Sequence, residues 1–360
     1  VGRANVVLNF YLSIMDTWKL RVKDIRPETP DTNAIFLERI DSRPLSYQAG
    51  QFLTLLLSFH GRDLRRSYSF STTPEIDPVA AITIKRVPNG EVSRYLLDHL
   101  RVGDILHTLP PAGRFTLDNA AHSLVFIAAG SGIVPVFSLL KAALALQPIF
   151  RPGAPTILIT QQHDHAASPF HAQLHALTTV FGKDRLRWVE WLSVRDGRLN
   201  NWLLEEWILT LLLPVDHPPQ AVLPHFYLCG PPAFMRMAQF TLRLLGFPDE
   251  QIKKENFTVE YVPPPPLLTD TTPKRVTIMR NDSPLHFEAA WPDTILQAAE
   301  RHHISLPYSC RGGRCSTCTA KCLSGKVKMS INEVLTEKDL QDGLVLTCVG
   351  YAETDLTLTF

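Results

Sequence analysis

Six cysteines stand in the 360-residue chain, and four share a spacing that can do chemistry. Cys310, Cys315 and Cys318 read C-x4-C-x2-C, and Cys348 answers them near the end of the sequence. That pattern holds a 2Fe-2S cluster: three thiolates on one tight loop wrap the irons, and a distant fourth closes the far side. Gly312 and Gly313 let the backbone fold closely around the inorganic sulfides. The alternative, a four-cysteine zinc site, uses two short C-x2-4-C pairs rather than one wide loop. A one-electron carrier needs an electron source, so the remainder of the chain is read for one. Cys229 and Cys322 fall outside the pattern with no disulfide framework around them, which fits a reducing cytoplasm.

The elements that must position and feed such a cluster fall into three stretches. Residues 17–119 carry short alternating or β-branched runs at 20–26, 33–40, 51–58, 67–70, 80–87 and 104–109, which predict an antiparallel β-barrel interrupted by one helix at 92–100. Residues 120–261 change rhythm to strand then helix, at 123–129, 133–146, 156–161, 168–178, 186–192, 225–229 and 232–245. This predicts a parallel α/β sheet of the nucleotide-binding kind. Residues 262–273 run Val262-Pro263-Pro264-Pro265-Pro266 on to Pro273, a semi-rigid extended linker. In residues 274–360 a hairpin (275–280 with 285–289) and a helix at 294–303 precede the cysteine loop, and strands near 326–329 and 344–348 follow it. A formal net charge of +1 gives no bulk attraction to nucleic acid or anionic lipid. The apolar run Leu124 to Leu146 is broken by Gly130, Gly132, Pro135 and Lys141, and Val6 to Met15 is too short to span a bilayer, so no membrane insertion is expected. The latter reads as an N-terminal arm or edge strand.

Four short motifs could bind cofactors. Arg66-Ser67-Tyr68-Ser69 opens a β run; a guanidinium can pair bidentately with pyrophosphate, and a tyrosine face can stack on a flat ring. Asn89-Gly90-Glu91-Val92-Ser93 opens the barrel's helix, whose N-terminus with Ser93 can take phosphates. Gly130-Ser131-Gly132-Ile133-Val134-Pro135 follows a strand and opens a helix. Its glycines allow close approach to a pyrophosphate, and Pro135 suits a first helical turn. Cys229-Gly230-Pro231-Pro232 makes a similar turn one strand later, and Glu255-Asn256-Phe257 ends the α/β stretch. Glu300-Arg301-His302-His303 contains one E-x-x-H; a di-iron carboxylate site needs two, with further glutamates on a four-helix bundle. A solvated helix is the reading there.

Taken together these motifs resemble the ferredoxin-NADP reductase superfamily, and residues 18–360 look like its three-part NAD(P)H-flavin-2Fe-2S reductases. The domain order and cluster loop are most similar to the reductase components of phenylacetyl-CoA oxygenase and related oxygenases. The resemblance implies a flavin-binding barrel, an NAD(P)-binding α/β domain and a C-terminal plant-type ferredoxin of β-grasp fold. It implies that Arg66, Tyr68, Ser69, Gly90, Val92 and Ser93 bind the flavin, FAD rather than the FMN of one branch. Gly130, Gly132, Pro135, Gly230 and Pro231 would hold the nicotinamide nucleotide, with Phe257 over the flavin. Ser69, Cys229 and Glu255 are the expected catalytic positions, and Cys310, Cys315, Cys318 and Cys348 the metal ligands. Arg195 and Arg198, near a strand end, favour the 2′-phosphate of NADPH, with NADH left open because Gln161 to His165 contains acidic and basic groups alike. Electrons would pass to an external acceptor, an oxygenase component on another chain, docking on Arg311 and Arg314. The alternative is a flavin and iron-sulfur redox sensor without physiological turnover.

Overall fold

The computed structural model describes residues 12–13, 17–59, 62–118, 123–150, 155–212, 224–257, 262–279 and 284–360. Leu12–Ser13 (β1) forms a two-residue parallel ladder with Ile304–Ser305. This is an edge pairing, and the rest of the expected arm, 6–11 and 14–15, lies outside the described residues.

Period-2 burial drives the first unit. In β2 (Trp18–Thr29), Leu20 and Val22 are fully buried while Lys19, Arg21 and Lys23 face water. With β3 (Thr32–Arg39), β4 (Phe52–Phe59), β5 (Arg62–Ser69), β6 (Ala80–Lys85) and β7 (Ile105–Thr108) it forms an antiparallel sheet in the order β5-β4-β7-β2-β3-β6. An isolated bridge between Phe70, just past β5, and Ile82 on β6 brings the two ends of the sheet together. Leu53, Leu55, Phe70, Ile82 and Ile84 fill its interior, and helix α1 (Glu91–His99) contributes Val92 and Leu96.

The second unit comprises β8 (Ser123–Ala129), α2 (Ile133–Phe150), β9 (Thr156–Gln162), α3 (His171–Phe181), β10 (Leu186–Leu192), α4 (Ser193–Asp196), α5 (Asn201–Leu212), β11 (Pro224–Cys229), α6 (Pro232–Leu244) and β12 (Ile252–Glu255). Its five parallel strands run β10-β9-β8-β11-β12. Both faces are covered by separate apolar clusters, which is why every residue of β8 is buried. Strand order reverses at β8, so the crevice beyond the carboxyl ends of β8 and β11 is the switch point where α/β sheets bind ligands. Helix α5 and strand β12 carry no expectation from sequence. In β12 two lysines separate the buried Ile252 and Glu255 and mask the strand. No described helix is long and apolar enough to cross a membrane.

Residues 262–273 hold no regular element. They lie along the third unit, where Trp291 Nε1 donates to the Pro266 carbonyl at 3.2 Å and Lys328 Nζ to that of Leu267 at 3.1 Å. That unit contains β13 (Lys274–Ile278), β14 (Leu285–Ala289), α7 (Ile295–Arg301), β15 (Ile304–Ser305), β16 (Thr319–Ser324), β17 (Val327–Met329), α8 (Glu337–Gln341), β18 (Leu344–Leu346), β19 (Gly350–Ala352) and β20 (Leu356–Thr359). The mixed sheet β14-β13-β20-β16-β18 grasps α7, which starts on a capping box between Thr294 and Gln297 and buries Ile295, Leu296, Ala298 and Ala299.

Candidate functional site

The cysteine loop is held in a conformation few residues adopt. Arg311, Gly313 and Ser316 all have positive φ, and a side chain at Gly313 would press within 3.0 Å of Ile331. This winding turns main-chain N–H groups onto sulfur: Cys310 N–H points to Cys315 Sγ and Gly312 N–H to Cys310 Sγ, each at 3.4 Å. Cys310 Sγ lies within hydrogen-bond reach of the Cys315 and Cys348 sulfurs, and Cys318 Sγ of Cys348. None is in a disulfide. Four free thiols converging under N–H donors are a donor set that fits a 2Fe-2S cluster. Cys322 stands apart, its thiol turned to the Ser324 carbonyl at 3.3 Å.

Strand β5 faces this loop. Side chains alternate along it, so Arg65 and Ser67 share one face and Arg66 and Tyr68 the other. The Arg65 guanidinium lies over the Tyr308 ring at 3.6 Å and donates to the Tyr308 carbonyl at 3.1 Å. Ser67 Oγ meets Ser309 Oγ at 2.6 Å. Tyr68 is half-buried against the barrel core, and burial pushes its phenol up to about 12. Arg66 is exposed and donates to the Arg65 carbonyl at 2.8 Å. At the start of α1 a Cβ on Gly90 would sit 2.8 Å from both Ser93 Oγ and Val87 Cβ, so a larger residue would have to displace them. Ser93 Oγ accepts from the Val87 N–H at 3.1 Å, and Val92 is buried in the barrel.

The two glycine turns of the α/β unit pack directly on each other. A Cβ on Gly132 would fall 2.1 Å from the Cys229 carbonyl oxygen, and one on Gly230 would fall 3.1 Å from Ala129 Cβ. Gly130 has φ +55°. Pro135 lies in the first turn of α2, while Pro231 caps α6. Cys229 is completely buried, which pushes its thiol well up, and pairs in register with Glu255 on β12. Burial also raises the Glu255 carboxyl to about 8, partly offset by the Ser69 hydroxyl it faces. Its Oε2 is buried with no hydrogen-bond partner among the described residues, an acceptor or acid left for something that enters from the cleft.

That cleft, about 1220 Å³, opens between the three units and is walled by Arg66, Ser69, Glu255, Phe257, Cys310 and Cys315 among others. Drug-sized pockets run to about 1,000 Å³, so a larger, dinucleotide-sized guest suits it. Tyr68, Cys229 and the residues of the glycine turns are not among the described residues that wall it. Arg195 and Arg198 are not among the described residues that wall it, and Arg195 is bound to Asp196 by two hydrogen bonds of 2.7 and 2.8 Å. Phe257 is 47% exposed, free to be covered by a guest.

The expected docking arginines are ion-paired within the cluster domain. Arg311 is bound bidentately to Glu300 at 2.5 and 2.9 Å and stacks on Tyr308 at 4.0 Å, and Arg314 is paired with Glu333 at 3.0 Å. These pairs brace the cluster loop, while the Arg311 side chain stays 46% exposed, and Glu300 is an anchor rather than a solvated side chain. The joining residues Arg65, Ser67, Tyr308 and Ser309 carry no expectation from sequence. The signal was the run Arg65-Arg66-Ser67-Tyr68-Ser69, where alternate positions serve opposite faces.

Comparison with known proteins bears on the whole chain. Three domain families match in order: the oxidoreductase FAD-binding domain over residues 20–117, the oxidoreductase NAD-binding domain over 126–239 and the 2Fe-2S iron-sulfur cluster binding domain over 278–353. The chain is 30% identical over 352 residues to the ferredoxin reductase component of 3-ketosteroid-9-alpha-monooxygenase from Mycobacterium tuberculosis (strain ATCC 25618 / H37Rv), covering 94% of each. It is 29% identical over 345 residues to a component of the 1,2-phenylacetyl-CoA epoxidase of Escherichia coli (strain K12), covering 91% of this chain and 93% of that protein. Among solved structures, phthalate dioxygenase reductase shares the fold with a TM-score of 0.59 at 22% identity, over 96% of this chain and 98% of that one. The chain therefore belongs to the ferredoxin-NADP reductase superfamily, in the family of reductase components that join FAD-binding, NAD-binding and 2Fe-2S domains in one oxidoreductase.

Proposed function

We propose that this chain draws electrons from NAD(P)H and delivers them singly, through its cluster domain, to the oxygenase component of a cytoplasmic monooxygenase or dioxygenase system. The observation that carries the reading is the Ser67–Ser309 contact of 2.6 Å, which joins the β5 strand directly to the residue before Cys310. When bound, the flavin takes two electrons as a hydride and the 2Fe-2S cluster passes them on one at a time.

The chain's own part is orientation and exclusion of water. Arg66, with Gly90, Val92 and Ser93 at the start of α1, is proposed to neutralise and seat the flavin's pyrophosphate, and Tyr68 to support its ring. Gly130, Gly132 and Pro135, with Gly230 and Pro231, would cradle the nicotinamide nucleotide at the switch point. Cys229, too buried for nucleophilic work, keeps the nicotinamide side dry and narrow. Ser69 and Glu255 would hold the reacting edge, with Glu255 carrying its proton at neutral pH. Phe257 would move as a guest enters. Cys310, Cys315, Cys318 and Cys348 would ligate the irons, with N–H donors tuning their sulfurs. The Arg195 contact to Asp196 lessens its availability for a 2′-phosphate, leaving Arg198 as the residue favouring NADPH over NADH. Anaerobic addition of NADPH or NADH to the full chain should bleach both cofactor absorptions, and a cluster that stays oxidised after the flavin is reduced would refute the reading.

A further inference from the structure

Edge strand β10 carries a group of donors that electron transfer leaves unused. His165 comes from the loop after β9, His171 from the first turn of α3 and Glu190 from β10 itself. His171 Nε2 lies 3.2 Å from Glu190 Oε1, and His165 Nδ1 lies 3.6 Å from Glu190 Oε2. One ligand atom from each of the three falls within 4.8 Å of the others. The 3.2 Å approach is not a hydrogen bond: His171 Nε2 and Glu190 Oε1 are both buried, and neither has a hydrogen-bond partner among the described residues. Two buried polar atoms that oppose each other without hydrogen-bond geometry cost free energy. A cation between them removes that cost. Ligand atoms at about 2.0–2.2 Å from a tetrahedral zinc ion stand roughly 3.3–3.6 Å apart, so the three atoms, which lie within 4.8 Å of one another, would draw in around an ion.

The surroundings hold the trio in place. Trp188 Nε1 donates to Thr160 Oγ1 at 2.9 Å, and the Trp188 ring meets His171 and His175 edge-on at 5.8 and 5.0 Å. Asp164 Oδ1 accepts from the Ala167 N–H at 2.8 Å, folding the loop that presents His165. The nearby cation, Arg195, is engaged by Asp196.

We propose that His165, His171 and Glu190 form a site for a divalent transition-metal ion of the zinc class, with water as fourth ligand. Two imidazoles and one carboxylate suit zinc, whereas magnesium and calcium seek oxygen alone. Because the ligands come from a loop, a helix and an edge strand, the ion would tie the 163–170 segment to the sheet.

The test uses the full chain with its flavin and cluster, freed of loose metal and titrated calorimetrically with zinc, with magnesium as control. One zinc per chain should bind at unchanged iron content and raise the unfolding temperature by a few degrees once zinc exceeds its Kd about a hundredfold. H165A and E190Q should each weaken binding about tenfold or more, while H302A, on the cluster domain, should not. Iron and flavin content report that the variants are folded. Binding unaltered by H165A and E190Q, no binding at about 100 μM zinc, or zinc taken up as iron is lost would each overturn the site.

Discussion

The barrel meets its two neighbours in different ways. Against the α/β unit the joint is buried: Ser138 Oγ donates to the Thr72 carbonyl at 2.6 Å, and Thr73 Oγ1 returns a bond to the Ser138 carbonyl at 2.8 Å. Lys141 pairs with Asp77 beside them. Gly50 brings the barrel loop so close that a Cβ there would overlap the Phe115 carbonyl and touch Leu139. Against the cluster unit the joint is polar, made of Arg65 on Tyr308, Ser67 with Ser309 and Arg114 with Asp339, and the α/β unit adds Asn256 with Glu333 at 3.1 Å. The first joint fixes the hydride site as part of one body. The second is polar, as transient interfaces are, and suits a carrier that must also meet an external acceptor.

The contrast can be broken hardest at the cluster. Serine at Cys310, Cys315, Cys318 or Cys348 should abolish the normal 2Fe-2S spectrum while flavin content persists, whereas Cys322→Ser should keep both; iron analysis and visible absorption check this. A smaller effect is expected at the polar joint. Arg65→Ala removes a cation–π contact and two or three hydrogen bonds, together about 1–3 kcal/mol, so cluster reduction followed by stopped flow should slow about tenfold while reduction by NAD(P)H is unchanged.

A further effect lies on the buried side and depends on pH. Glu255 has its folded pKa raised from 4.5 to about 8, so the folded state holds a proton that the unfolded state releases. Its stabilising contribution is full below about pH 4.5 and is lost as pH rises toward 8. Glu255→Gln should flatten that fall in denaturation measurements across the window, leaving the variant more stable than the parent at pH 8. A parallel fall in both proteins would place the slope elsewhere.

These differences were unequally legible in the sequence. Barrel strands such as 18–29 announce themselves because one face is buried and the other wet. The cysteine loop does so because ligand spacing is a local property. Strand β12 and helix α5 were not legible, since Lys253 and Lys254 interrupt the apolar signal of one, and Trp, Leu and Ile spread around the other. The ion pairs of Arg311 and Arg314 were not legible because their partners, Glu300 and Glu333, lie 11 and 19 residues away and only folding brings them together. For the same reason no local pattern marked Ser309 as the neighbour of Ser67, 242 residues earlier in the chain.

If electrons leave through the cluster domain, cutting that domain away must close their exit without touching their entry. A fragment ending at Val262 keeps the barrel, the α/β unit and their buried joint, and should bind flavin and oxidise NAD(P)H. Fragment and full chain can be assayed side by side with ferricyanide, which accepts directly from reduced flavin, and with cytochrome c as a stand-in for the oxygenase. Ferricyanide reduction should stay within a few-fold of the full chain while cytochrome c reduction collapses. A fragment that reduces cytochrome c as fast as the intact protein would show that electrons leave from the flavin instead.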